Sequence, residues 1–306
     1  MYDLVIIGGG PAGLTAGLYS SRARLNVLML ERLAPGGQVL NTDWVENYPG
    51  FPEGISGFEL VDRMRAQSEK FGLRIENEEA LHLELLGDKK IIKTNKGVHE
   101  AKTVILACGA TWKKLGIEGE ALLAGKGVSY CATCDGPFYR DQDVAVIGGG
   151  DTAVEEAIFL TRFANRIYLV HRRDQLRATK LLQERAMAQE KIEFIWDTIP
   201  LRILGQDGVE GIEFQNVKTK QISRKAVHGV FIFIGTIPNT QLLKGKVTLD
   251  KEGFVITDDG TRTSVPGVFA AGDVRSKPWR QISTAVGEGA TASFGAEKYI
   301  EEGSRP

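Results

Sequence analysis

Cys131 and Cys134 stand two residues apart in the stretch YCATCDGPFY, and an acid, Asp135, directly follows the second. Such a pair can cycle between dithiol and disulfide, and an adjacent carboxyl can hand over the proton that accompanies the electrons. The same spacing can supply half of a tetrahedral zinc site. No second Cys/His pair accompanies it, because His82, His99, His171 and His228 are scattered. Soon after the cysteines comes a glycine-rich loop, Gly148-Gly149-Gly150-Asp151-Thr152-Ala153, and a loop of the same kind, Gly8-Gly9-Gly10-Pro11-Ala12-Gly13, opens the chain. Each follows an apolar, β-branched run and precedes a helical pattern, which is the context a dinucleotide-binding turn requires. Gly8, Gly10 and Gly13, like Gly148 and Gly150, let the backbone turn tightly and approach a pyrophosphate at the positive end of a helix. Two dinucleotides and one dithiol point to an electron-transfer enzyme that ends at a disulfide.

The residues that close the second strand of each unit separate the two ligands. In the first unit this residue is Glu31, about 20 residues past the loop. A carboxylate there accepts hydrogen bonds from ribose hydroxyls and repels a 2′-phosphate, so the first site suits FAD or NAD. In the second unit the stretch is HRRDQLRA, and His171, Arg172 and Arg173 take the place of the acid, with Arg177 one turn on. Guanidinium forks match a phosphate dianion, so the second site suits NADPH.

These loops need strands and helices to aim them. Leu4 to Ile7, residues 14 to 24 and Asn26 to Glu31 read as strand, helix, strand. Val144 to Ile147, residues 154 to 163 and Arg166 to His171 repeat the pattern. TVILACGA (Thr103 to Ala110) and GVFIFIGTIPN (Gly229 to Asn239) are a further apolar strand for each unit, each ending in glycine. GVFAAGDV (Gly267 to Val274) is one strand more than the second unit needs, so it returns to the first. The expected fold is α/β, with two Rossmann-like dinucleotide-binding domains, the second inserted into the first. The FAD domain is expected to span residues 1–112 and 241–306, and the NADPH domain with the C-x-x-C residues 113–240. Crossings are expected near Trp112 to Gly116 and Ile237 to Gln241.

The chain of 306 residues is 42% hydrophobic and 25% charged, which fits a globular protein with a full core. A formal net charge of −1 argues against a nucleic-acid binder. The opening YDLVIIGGG enters a strand without the pattern of a secretory signal, and three cysteines are no disulfide framework. A cytoplasmic location is therefore expected. The third cysteine, Cys108, reads as a small buried hydrophobe.

Taken together, these stretches resemble the low-molecular-weight thioredoxin reductases of bacteria, plants and fungi, class II pyridine nucleotide-disulfide oxidoreductases. The likeness covers essentially the whole chain. It is carried by GGGPAG, by GGQ at Gly36 to Gln38, by ENYPG at Glu46 to Gly50 and by CATCDG at Cys131 to Gly136. It continues through GGGDTAVEEA at Gly148 to Ala157, HRRDQLRA, and AGDVRSKPWRQ at Ala271 to Gln281. The resemblance implies FAD in the first site, NADPH in the second and thioredoxin as electron acceptor. Carried over by position, Glu31, Gly37, Gln38 and Asn47 would hold the adenosine and flavin. Asp273 would bond the ribityl chain, and Arg280 with Gln281 would flank the flavin. Pro11, Ala12, Arg32, Gly109, Gly272 and Ile282 would line the same site, and Asp151 and Thr152 the NADPH site. Cys134 would face the flavin, Cys131 would attack thioredoxin, and Asp135 would carry protons. A homodimer is implied as well.

Two positions depart from the family's pattern: Cys108 stands where threonine is usual, and Pro137 replaces an aromatic residue. The nearest other reading is a related flavoprotein reductase serving a peroxiredoxin or a glutaredoxin-like partner. Nicotinamide and dithiol would lie on one domain and would have to reach one flavin in turn. The inserted domain is therefore expected to rotate about its two crossings.

Overall fold

The computed structural model describes every residue except Asp43, Trp44, Glu46 and 304–306, and only the backbone of Asn41. Glu46, in the ENYPG stretch, thus lies outside the described residues. The chain divides into two units: Met1–Thr111 with Ile237–Pro306, and Trp112–Thr236.

The first unit begins with β1 (Tyr2–Ile7), α1 (Pro11–Arg22) and β2 (Val27–Glu31). The helix starts three residues before the apolar pattern suggests, because the fixed φ of Pro11 suits the first helical position. Next come α2 (Gly57–Lys70), β3 (Arg74–Asn77), β4 (Ala80–Glu84), β5 (Lys90–Thr94) and β6 (Val98–Leu106). Ser56 caps α2 by accepting the Glu59 N–H at 3.1 Å. The strands lie in the order β3-β2-β1-β6-β5-β4. β3, β2, β1 and β6 run parallel, whereas β5 is antiparallel to both its neighbours.

The second unit holds β7 (Ala110–Trp112, whose first two residues belong to the first unit), β8 (Val128–Ser129), the one-turn helix α3 (Ala132–Asp135) and β9 (Asp143–Gly148). Then follow α4 (Asp151–Leu160), β10 (Arg166–Val170), α5 (Lys180–Met187) and β11 (Ile192–Ile195). β12 (Thr198–Leu204), β13 (Gly211–Asn216) and β14 (Ile222–Lys225) form an antiparallel meander. β15 (Gly229–Phe233) completes a parallel sheet of order β11-β10-β9-β15-β8. β16 (Thr236–Pro238) pairs with β7, so the two chain crossings form a short ribbon. Back in the first unit, β17 (Val268–Ala270) lies parallel to β6, beside the half of that long strand that β5 leaves open. α6 (Ile282–Gly303) ends the described chain.

The central parallel strands of both sheets are buried on both faces, as parallel strands usually are. In the first, Val5, Ile7, Leu28, Leu30, Val104 and Leu106 pack on Leu243, Val247 and Val255. The alternate residues Leu4, Ile6, Met29 and Ile105 pack on Leu14, Ala16, Ala292 and Ala296 of α1 and α6. In the second, Val144, Val146, Ile167 and Leu169 meet Ala153, Val154, Ala157 and Leu160 of α4. Ala145, Ile147, Val170 and Val230 meet Ile212 and Phe214 of the meander. This period of two fixes which face of the sheet each side chain meets.

Candidate functional site

In the first unit the loop after β1 is held by its neighbours. Gly8 has φ of +108°, and a Cβ there would strike the Ala107 carbonyl. A Cβ on Gly13 would strike the Gly8 carbonyl, so helix and strand approach only because both residues are glycine. Gly10 caps α1 without a side chain, Pro11 is the first helical residue, and the early N–H groups, including that of Ala12, have no side-chain cap. Glu31 reaches back from the end of β2. Its Oε2 accepts the Gly9 N–H at 2.7 Å and its Oε1 the Leu33 N–H at 2.9 Å.

Other loops close over this one. The Gly36 N–H donates to the Gly9 carbonyl at 2.8 Å, which brings Gly37 against Gly10. Gly272 packs on Ala12, and its N–H donates to Glu288 Oε2 at 2.8 Å. Gly109 follows β6, where its carbonyl accepts the Asn239 N–H. Asn47 Nδ2 donates to Gln281 Oε1 at 3.2 Å, and Ile282 packs beside Val45 and Ile55. Gln38 is exposed on its short helical turn. Arg32 is not gathered in: it is exposed and pairs with Glu79 at 3.7 Å.

Two buried polar atoms here, Asp273 Oδ1 and Arg280 Nε, make no hydrogen bond, and Asp273 Oδ1 has only the ion pair with Lys277 Nζ. Burial pushes the Asp273 carboxyl up against the pull of Lys277, whose Nζ lies 3.4 Å away, and burial pushes Arg280 down. The Arg280 guanidinium lies 4.1 Å over the Phe254 ring. Buried orphans of this kind are rare, and a carboxylate oxygen beside a glycine cradle suits the sugar-alcohol hydroxyls and pyrophosphate of FAD. The sequence reading missed the network behind them, in which Glu288 binds Lys277 at 3.1 Å and Arg275 at 3.2 Å. Glu288 lies among glycines and small residues with nothing in the sequence to mark it.

In the second unit the loop after β9 is shaped likewise. A Cβ on Gly148 would lie 2.5 Å from the Ala153 Cβ, and one on Gly149 would strike the His171 ring. The Arg177 N–H donates to the Gly149 carbonyl at 2.7 Å, and its guanidinium lies beside Gly150. Asp151 Oδ1 accepts the Thr179 N–H at 2.7 Å, and Thr152 is exposed in the first turn of α4. Arg172, Arg173 and Arg177 are exposed, and no carboxylate lies within 4.0 Å of them among the described residues. His171 is buried, and its Nε2 is a third orphan. Burial first, then the three arginines, hold its pKa below the ordinary value. Three unpaired guanidinium groups around a glycine loop suit the 2′-phosphate of NADPH.

Cys131 and Cys134 form a disulfide across α3, with Cα atoms 5.3 Å apart. Cys131 is the N-cap, and its Sγ accepts the Cys134 N–H at 3.2 Å and lies 3.3 Å from Thr133 Oγ1. Asp135 closes the turn, and burial, with the Asp135 charge adding to it, pushes the Tyr139 phenol up to about 12. Cys108 is half-buried beside the first loop, less enclosed than its apolar run suggests, and desolvation pushes its thiol up to about 12, which disfavours the thiolate.

Two acids that the sequence reading passed over frame this turn. Glu120, 2% exposed, accepts the Leu115 N–H at 2.9 Å, the Gly116 N–H at 2.7 Å and the Tyr130 hydroxyl at 2.7 Å. Glu156 of α4 accepts the Ala132 N–H. One signal was available for Glu156: it falls on the apolar stripe of α4 with Ala153, Ala157 and Leu160.

No described helix is long and apolar enough to cross a membrane. The model of the pyridine nucleotide-disulphide oxidoreductases matches residues 2–289. A thioredoxin reductase of Streptomyces coelicolor is 49% identical over 97% of this chain and 94% of its own length. One from Bacillus subtilis is 44% identical over 99% and 96%. Among solved structures, thioredoxin reductase from Streptococcus pyogenes is 51% identical, covers 99% of both chains and superposes with a TM-score of 0.94.

Proposed function

This chain belongs to the pyridine nucleotide-disulphide oxidoreductases, among the thioredoxin reductases, and from that premise we propose how its residues carry electrons from NADPH to oxidised thioredoxin. The observation that carries the proposal is the Cys131–Cys134 disulfide, which caps one helical turn in the same unit as a glycine loop ringed by unpaired arginines. When bound, FAD stores two electrons and NADPH supplies them as a hydride. The chain positions both. Gly8, Gly10, Gly13 and Glu31 hold the FAD pyrophosphate and ribose, with Asp273 and Arg280 along the ribityl chain. Gly148, Gly150, His171, Arg172, Arg173 and Arg177 hold NADPH.

The disulfide takes up the electron pair, and Asp135 moves a proton to or from the sulfurs. Cys131 is the attacking sulfur toward thioredoxin. The Cys134 N–H and the nearby Thr133 hydroxyl support this assignment, because both donate to a thiolate. Exchange then runs through a mixed disulfide. A homodimer, a cytoplasmic location and a rotation of the inserted unit about residues 112–116 and 237–241 belong to the same reading.

NADPH oxidation followed with thioredoxin, a peroxiredoxin and a glutaredoxin-like disulfide protein tests the function. Turnover with thioredoxin is expected. Turnover with another disulfide protein alone would replace it with the related reductase. Sedimentation at micromolar concentration tests the dimer.

A further inference from the structure

α3 is a single turn that must accept negative charge when its disulfide opens. Cys131 Sγ draws on the Cys134 N–H of that turn. The Ala132 N–H, between the two cysteines, goes to a different acceptor, the Glu156 carboxylate on α4. Ala132 is fully buried in one cluster with Ala153, Ala157 and Leu160, so α3 and α4 are locked together at this point. Glu156 Oε2 is buried and has no hydrogen-bond partner. No cation lies within 4.0 Å of this carboxylate among the described residues. The elements packed on α4 carry Asp135 on α3, Asp143 and Arg166 on the strands, and Lys180, Glu184 and Arg185 on α5, while Glu155 is its neighbour on α4. A thiolate at Cys131 and a carboxylate at Glu156 would be two anions drawing on N–H groups of one turn, and each would disfavour the other.

We propose, resting on the reductase reading, that Glu156 is a redox-linked positioning residue: it anchors α3 through Ala132 and binds a proton when the Cys131–Cys134 disulfide is reduced, which leaves Cys131 as the thiolate. One electron pair, supplied by NADPH, enters as the S–S bond breaks. One proton goes to the Cys134 sulfur and a second, from solvent, goes to Glu156 in place of the Cys131 sulfur. When the Cys131 thiolate attacks a partner disulfide and the internal disulfide re-forms, both protons leave. Burial and the charge of Glu155 push the Glu156 carboxyl up to about 7, against the pull of the Ala132 N–H. A group so placed responds to a small change in nearby charge at neutral pH.

The test uses FAD-loaded full-length enzyme equilibrated with dithiothreitol buffers between pH 6 and 8.5, with the reduced fraction read by alkylation and mass spectrometry. Glu156→Gln keeps an oxygen for the Ala132 N–H but cannot titrate. Above pH 7 reduction of the wild type takes up two protons, at the Cys134 sulfur and at Glu156, and reduction of Glu156→Gln only one, so the wild-type reduction constant falls more steeply with pH. From pH 7 to 8.5 the wild type should lose about tenfold more than Glu156→Gln, or ~30 mV. Glu156→Ala should show the same shallow profile. A redox-difference infrared spectrum of the wild type gives a readout that needs no variant: a protonated-carboxyl band should appear on reduction above pH 7. Parallel pH profiles, or no such band, would overturn the inference. Normal NADPH-driven thioredoxin turnover alongside either failure leaves the reductase reading intact.

Discussion

Replacing Glu120 by alanine removes one acceptor and strands three donors. The Leu115 and Gly116 N–H groups and the Tyr130 hydroxyl all end on this one carboxylate. A hydrogen bond to a charged group is worth ~1.5–3 kcal/mol, though the three are not additive because they share an acceptor. Gly116 is exposed, so water can replace its partner, whereas Leu115 and Tyr130 are only half-exposed. The net loss worked from this arrangement is about 3 kcal/mol. Glu120→Gln separates the contributions. If its oxygen replaces Oε1, the Leu115 and Tyr130 contacts survive, and the amide group faces the Gly116 N–H, donor against donor. That variant should lose about 1–2 kcal/mol. Hydrogen exchange at Leu115 and Gly116 is the assay, since it reads this turn without assuming that a two-unit protein unfolds in one step. Exchange there should accelerate by about tenfold or more in Glu120→Ala. Tyr130 directly precedes Cys131, and its ring stacks on Trp112 with centroids 6.4 Å apart, so thioredoxin reduction should slow too. Unchanged exchange at both amides in Glu120→Ala would show that Glu120 does not hold this turn.

The remaining predictions concern the two nucleotides, the sulfurs and one buried acid. Arg172→Ala with Arg173→Ala should raise the KM for NADPH by about tenfold or more while leaving that for NADH nearly unchanged; equal effects would contradict the phosphate assignment. Cys131→Ser and Cys134→Ser should each abolish thioredoxin reduction and spare reduction of bound FAD by NADPH, as stopped-flow absorbance would record; normal turnover in either would end the dithiol mechanism. Glu156 carries a stability signature as well. Its folded pKa of about 7 lies above the ordinary 4.5 of a free glutamate, so between those values the folded chain binds more protons, and stability falls as pH rises through that window. Discounted for partial exposure, about 2 kcal/mol is lost above pH 7 that Glu156→Gln recovers, so the variant should melt higher than wild type at pH 8 and not at pH 4.5.

What could be read from the sequence is what repeats at a fixed period or spacing. The continuous apolar runs LVII and VAVI marked strands enclosed on both sides, and residues of each run pack into the two cores on either side of its sheet. The glycine spacing forecast loops in which a Cβ at Gly8, Gly13 or Gly148 would clash, although Gly10 and Gly150 have room for one. Helix starts were harder. α4 begins at Asp151 and not at 154, because its first turn is held by the loop and the Asp151 carboxylate, not by apolar contacts. Acids that act through backbone were not legible at all. Glu120 and Glu288 look like solvent-facing charges in the sequence, and their partners include backbone amides that any residue supplies. Side-chain chemistry therefore announces itself by residue type, while the carboxylates that hold the machinery become visible only once the N–H groups are placed. Glu156 lies between the two cases, since an acid on an apolar helical stripe is a contradiction in the pattern. In this chain that contradiction points at the turn carrying the disulfide.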